Sequence, residues 1–145
     1  MDPFIIGGDY APISKFPHSV YLTMRCSNMD FSCGSSLLNQ QVLLTASHCF
    51  SDCDRGWKID SYAGDENIYK DYTQQDTDRL KEVQQRIKSR SACLKLGDIS
   101  GGMMCASCTD SDYSRPAFGD SGSALITDNN EQVGLVSFRE ESQPQ

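Results

Sequence analysis

The chain lacks any long apolar run: nothing in it approaches the roughly 18 consecutive apolar residues of a membrane-spanning helix. Basic charge is scarce as well, with 13 Lys and Arg against 20 Asp and Glu and a net charge of −7. A protein that grips a phosphate backbone needs a basic face, so neither nucleic acid nor a membrane is expected as a partner. The opening "MDPFIIGGDY" has no basic region and too short an apolar stretch to act as a secretion leader. Histidine is limited to His18 and His48. No internal repeat is visible.

Cysteine, by contrast, is abundant: seven in 145 residues. That number suits an oxidising, extracellular compartment better than the cytosol. Because it is odd, at least one thiol has no partner within the chain. The length suggests a single domain over 1–145.

Hydrophobic patterning reads mostly as strand. "HSVYLTMRC" (18–26) alternates and is rich in β-formers. "SSLLNQQVLLTA" (35–46) reads as two strands around an Asn-Gln-Gln turn, "WKIDSYAG" (57–64) as a strand ended by glycine, and "SALITDNNEQVGLVSF" (123–138) as a hairpin. One stretch breaks the pattern. Over 76–93, Leu80, Val83 and Ile87 recur at helical spacing behind Asp76 or Thr77 as caps, which predicts one amphipathic helix. The charged segment 65–90 and the tail "REESQPQ" are expected to be polar and mobile.

Two short motifs carry chemistry. "TASHC" (45–49) places His48 after an apolar strand and beside Cys49, which can anchor it. "GDSG" (119–122) places Ser121 between glycines, where the backbone can turn tightly and aim N–H groups at a reacting carbonyl. A serine hydroxyl needs a base to take its proton, and histidine titrates near neutrality. Taken singly, each motif is more often a turn or a structural histidine than a catalytic part.

Taken together and in order, "IIGG" (5–8), "CGSSLLNQQVLLTASHC" (33–49), "GDSGSALI" (119–126) and "GLVSF" (134–138) resemble the trypsin/chymotrypsin-like serine protease family, most of all its insect members. The resemblance covers nearly the whole chain in pieces and is most specific at 33–49 and 119–126. It implies an all-β fold, a double β-barrel with the active site between the barrels. It implies that His48 is the general base, Ser121 the nucleophile, and the N–H groups of Gly119 and Ser121 the oxyanion hole. Asp120 is expected to receive the α-amino group of Ile5 after an activating cleavage.

The departures from the family matter equally. A barrel fold of this kind runs to roughly 200–250 residues as one domain, and His48 lies much closer to Ser121 than in the family. A block is expected to be missing near residue 76, including the strand that carries the triad aspartate. The closing strand and final helix are expected to be missing after 145. Asp60, Asp65, Asp71, Asp76 and Asp78 follow His48, yet none sits in the apolar strand context that the family gives its aspartate. The double barrel is therefore expected to be incomplete, with at most trace peptidase activity.

By the same resemblance, Cys33 pairs with Cys49 and Cys93 with Cys105. Cys26 and Cys53 are expected to form an additional bridge between adjacent loops, leaving Cys108. "CASC" (105–108) could be read as a redox or zinc pair, but no second pair stands at metal spacing, so no metal or cofactor is expected. The family places the floor of its specificity pocket six residues before the serine, where this chain has Arg115. An arginine there favours acidic substrates or fills the hole. Ser137, Phe138 and Arg139 resemble the rim strand of that pocket.

Three classes of function follow: a secreted, monomeric serine endopeptidase acting on peptides or proteins; a non-catalytic homologue that binds substrates, inhibitors or partner proteases; and a cysteine-based redox or metal module. Non-reducing peptide mapping of the oxidised protein is expected to find Cys33 bridged to Cys49 and Cys108 as the free thiol. A bridged Cys108 or a free Cys33 would remove the cysteine part of the family resemblance.

Overall fold

A computed structural model describes residues 5–27, 29–51, 56–67, 79–95, 97, 99–108 and 114–139. Its centre is a four-stranded antiparallel sheet in the order β4-β3-β2-β5. Strand β2 (Ser19–Cys26) shows the expected period of two, with Val20, Leu22, Met24 and Cys26 all buried. It pairs along its whole length with β3 (Met29–Asn39), from Ser19 opposite Ser36 to Cys26 opposite Met29. Its other side pairs with β5 (Lys58–Ala63), Val20 lying opposite Ala63 and Arg25 opposite Lys58. Strand β3 continues past its partner and turns into β4 (Val42–Leu44). The turn is held by the Asn39 side chain, whose Oδ1 accepts the Gln41 N–H at 2.9 Å.

Met24, Cys33, Ala46 and Cys49 form the buried core, with Phe31, Phe50, Trp57 and Leu135 packed against it. The Trp57 ring meets Phe31 and Phe50 edge-on, at centroid distances of 5.9 and 5.6 Å. The Cys33–Cys49 disulfide runs through this core. In the chain-entropy account, a bridge closing a loop of that size is worth about 3 kcal/mol.

The remaining strands pair two by two. Strand β1 (Asp9–Tyr10) joins β6 (Lys81–Glu82), β7 (Gln85–Ile87) joins β8 (Ala106–Cys108), and β9 (Ala124–Ile126) forms the expected hairpin with β10 (Gln132–Leu135). Asn130 supplies the left-handed turn residue of that hairpin, at φ 60°. A second disulfide, Cys93–Cys105, ties the end of α1 (Arg90–Cys93) to the residue before β8. Cys105 is thereby consumed, so "CASC" does not offer a free dithiol. Cys26 is also disulfide-bonded; Cys53, its expected partner, and the side chain of Cys108 lie outside what the structure describes.

The amphipathic helix expected over 76–93 is corrected by the structure. Among the described residues of this stretch only Arg90–Cys93 is helical, capped by Ser89, whose Oγ accepts the Ala92 N–H at 3.3 Å; residues 81–82 and 85–87 are strand. The cause is long-range pairing. Leu80 donates its N–H to the Glu66 carbonyl and accepts from the Ala11 N–H, at 2.8 and 3.0 Å. Lys81 and Glu82 then pair with Tyr10 and Asp9, and Lys15 bonds the Glu82 carboxylate. The Leu-Val-Ile spacing that suggested a helix places Leu80 and Val83 half-buried but leaves Ile87 51% exposed. The segment 65–90, expected to be polar and mobile, contains strand at 81–82 and 85–87, and its residues 68–78 lie outside the described residues. The expected caps Asp76 and Thr77, and the tail from 140, lie outside the described residues.

The central sheet does not close on itself. Strands β4 and β5 are its two edges, and among the described residues no strand pairs with their outer sides. Leu37, Leu38, Val42, Leu43 and Leu44 form an apolar strip along the β4 edge, each 37–55% exposed. Open apolar edges invite pairing between molecules. Leu43→Lys is expected to suppress concentration-dependent association, measured by light scattering, while shifting stability by no more than about 0.5 kcal/mol, as exposed substitutions do. Unchanged scattering would show that association runs through another surface.

Candidate active site

His48 sits in a 3₁₀ turn, Ser47–Phe50, immediately after β4. Ala46 and Cys49 on either side of it are buried, while His48 itself is exposed. Its carbonyl accepts from Ser51 Oγ at 2.6 Å and from the Ser51 N–H at 3.2 Å. The backbone is thus fixed and the ring left open. Among the described residues, the His48 ring has no carboxylate partner and no hydrogen bond to Ser121.

Ser121 sits in a loop folded by its own short bonds. The Ala117 N–H donates to Asp120 Oδ2 at 2.7 Å, the Asp120 N–H to the Ala117 carbonyl at 3.2 Å, and the Ser123 N–H to the Asp120 carbonyl at 2.9 Å. Gly122 then donates to the Val136 carbonyl at 2.7 Å, tying the loop to the end of β10. The N–H groups of Gly119 and Ser121 have no acceptor among the described residues.

The serine loop is seated on the histidine segment, and Gly34 makes this possible. The Gly34 N–H donates to the Ser121 carbonyl at 2.8 Å, and its own carbonyl accepts from Thr45 Oγ1 at 2.7 Å. A Cβ at Gly34 would collide with Ser123; one at Gly122 would collide with Thr45 Oγ1 and the Gly34 carbonyl. Cys49 Sγ lies 3.9 Å from the Ser121 carbonyl. The backbone segments that carry His48 and Ser121 are therefore packed together by the Cys33–Cys49 bridge and two glycines. The motifs alone assign no role to Gly34 or Thr45. A glycine inside an 11-residue strand is the signal that could have found Gly34, since it marks close approach of another backbone.

The N-terminal segment is stapled to the same loop. Ile6 and Arg115 exchange backbone bonds, each 2.9 Å, and the Gly8 N–H reaches Ser114 Oγ at 3.3 Å. Ile5 and Asp120 line one open cavity of about 1070 Å³. In the uncut chain the Ile5 nitrogen is part of a peptide bond, and the turns at 117–123 form without it. Asp120 is buried, 6% exposed. Burial pushes its carboxyl up to about 6, against the opposing pull of the Ala117 N–H and of Lys81.

The other candidates scatter. Ser137 and Phe138 are exposed; Arg139 is half-buried, its guanidinium 5.7 Å from the Phe118 ring centroid. Arg115 is half-buried with its Nε enclosed and lacking an acceptor. Asp60 lies exposed on β5 opposite Thr23, and Asp65 accepts the Asn67 N–H at 3.0 Å; neither bonds His48. Asp71, Asp76 and Asp78 lie outside the described residues. Among the described residues no group of three His, Cys, Asp or Glu is placed to hold a metal, and no helix is long and apolar enough to cross a membrane.

This geometry agrees with the comparisons. The trypsin family model matches residues 5–77 and 67–145 in two stretches, and the chain belongs to the trypsin-like serine protease family. It is 37% identical to CLIP domain-containing serine protease B4 of Anopheles gambiae over 57 residues, 38% of this chain and 16% of that protein. It is 33% identical to coagulation factor IX of Cavia porcellus over 87 residues, 60% of this chain and 27% of that protein. CLIP domain-containing serine protease B14 of the mosquito matches at 37% over 60 residues, 39% of this chain and 16% of that protein. The chain thus spans about a quarter or less of these curated relatives. No solved structure matches it significantly.

The buried Asp120 carboxyl has a consequence for stability. Its folded value of about 6 lies above the ordinary carboxyl value of about 3.9, so the folded chain holds a proton that the unfolded chain releases. Stability on this account is greatest below pH 4 and falls as pH rises through 6, by about 3 kcal/mol in all. Asp120→Asn is therefore expected to gain on the parent chain as pH rises from 4 to 7.5, read from urea denaturation of both. A difference that does not change with pH would place the Asp120 charge in a solvated environment.

Proposed function

We propose that this chain is a serine-type endopeptidase domain with its reactive centre at His48 and Ser121, secreted and directed at peptide or protein substrates. The observation that carries the reading is the seating of the Ser121 loop on the Cys33–Cys49 bridge through Gly34, which brings the two motifs together. Ser121 Oγ attacks the scissile carbonyl while the His48 ring takes the hydroxyl proton. The N–H groups of Gly119 and Ser121 hold the oxyanion of the tetrahedral intermediate. His48 then returns the proton to the leaving amine, and water releases the acyl group by the reverse of the same steps.

The rate is expected to be low. A carboxylate must orient the imidazole and stabilise its cation, and a wrong tautomer costs about 10⁴ in kcat. No described carboxylate bonds His48. A second reading rests on that same observation: the domain binds peptides or inhibitors as a protease homologue and leaves them uncut. Ile5 and Asp120 belong to either reading, as an activation pair that forms once the chain is cut before Ile5.

A fluorophosphonate probe separates the two. Slow labelling of the wild-type chain that is lost in Ser121→Ala, with only trace turnover of a peptide library, is the expected result. No labelling after cleavage before Ile5 would leave the binding reading alone. Turnover at ordinary protease rates, abolished by Ser121→Ala, would show that another carboxylate serves His48.

A further inference from the structure

The chain carries 13 basic and 20 acidic residues, yet residues 31–51 contain no Asp, Glu, Lys or Arg. That stretch supplies most of β3 and all of β4, one open edge of the central sheet. Edge strands are commonly guarded by a charge or a proline. Strand β5, the other edge, carries Lys58 and Asp60. Strand β4 carries neither guard, and Val42, Leu43 and Leu44 are all exposed. Its one register shift lies on the β3 side, between Leu37 and Asn39. Apolar side chains on both faces are the pattern of an interior strand, with a neighbour on each side.

The backbone of β4 is set to receive that neighbour at Leu43. Leu37 lies opposite Leu43, and the Leu37 N–H donates to the His18 carbonyl at 2.8 Å, on the β2 side. In an antiparallel ladder the N–H and C=O of one residue point to the same side, and successive residues alternate. Leu37 and Leu43 are therefore a non-hydrogen-bonded pair, and the Leu43 N–H and C=O point outward. Among the described residues no strand meets them. The side chains around Leu43 read alike in both directions: Gln41, Val42, Leu43, Leu44 and Thr45 are polar, apolar, apolar, apolar and polar. A two-fold axis at Leu43 sets Val42 against Leu44 of a second copy, and Gln41 against Thr45. The two Leu43 residues then exchange both backbone bonds. Charge favours the same occupant. Two chains of net charge −7 repel over most of their surface, and pairing at β4 joins only uncharged segments.

We propose that β4 is the interface of a two-fold dimer of this chain, in which β4 pairs antiparallel with its own copy about Leu43 and the two central sheets become one. A dimer departs from the monomer expected from the sequence. It also differs from open-ended association, because a two-fold contact uses the edge once and closes. It is independent of whether Ser121 reacts.

Sedimentation velocity of the oxidised full chain over a range of concentrations is the test. The mass is expected to rise from that of one chain, 16.1 kDa, to twice that value and to stop there. Added salt is expected to strengthen the dimer by screening the acidic bodies. Leu43→Lys and Leu43→Asp, each with an unchanged circular dichroism spectrum, are expected to weaken association on the order of tenfold, through lost apolar burial and like charges set opposite each other. An equimolar mixture of the two variants is expected to recover dimers, because residue 43 faces residue 43 and the introduced charges then attract. Should a Leu43 variant fail to fold, mixing Val42→Lys with Leu44→Glu chains tests the same register. A single-chain mass at every concentration, growth beyond two copies, a dimer that survives denaturant until reduced, Leu43 variants without effect, or no recovery on mixing would each overturn the proposal. A chain that stays single but binds an added apolar strand peptide at this edge would assign β4 to another protein and overturn it as well.

Discussion

Everything at the candidate site depends on an absent side chain. Gly34 lies in the middle of β3, one residue past the half-cystine that anchors the histidine turn, and the serine loop rests on it. Its N–H holds the Ser121 carbonyl, its carbonyl holds Thr45, and the space where a Cβ would stand is filled by Ser123. The long strand is held by β2 from Met29 to Ser36 and by β4 beyond that. Loops that are separated by some seventy residues of chain therefore inherit a common frame from one strand, as functional groups need when they must be held to within fractions of an ångström.

The frame is better built than the body around it. The core is a few residues wide, centred on Met24 and a disulfide, and among the described residues the sheet ends in two unpaired edges. Small cores of this kind lean on covalent staples. Here the staple and the site coincide: Cys49, which fixes the turn bearing His48, is half of the bridge that crosses the core. Reducing that bridge would loosen fold and site together, which ties any activity to an oxidising environment.

Much of this was legible in the sequence, and the failures have a common cause. The alternation in 18–26, the turn at 39–41 and the hairpin across 127–131 are local signals, and each led to the right element. Cys33–Cys49 and Cys93–Cys105 came from the family resemblance and are found as bridges. The helix over 76–93 was misread because three apolar residues at helical spacing are also compatible with short strands, and what decides is a partner strand some seventy residues earlier, β1, only two residues long. Nothing local announces such a pairing. Gly34 escaped notice for the same reason: its significance lies in what approaches it from residue 121.

The backbone bridge between Ile6 and Arg115 has a kinetic meaning. A cut before Ile5 creates a new amino group one residue from an anchored point, on the rim of the cavity that Asp120 also lines. On the proposed activation, the new terminus would stay tethered one residue from that anchor, so its meeting with Asp120 would be intramolecular and independent of protein concentration. Such a maturation step would run at the pace of the cutting enzyme rather than of the rearrangement that follows it.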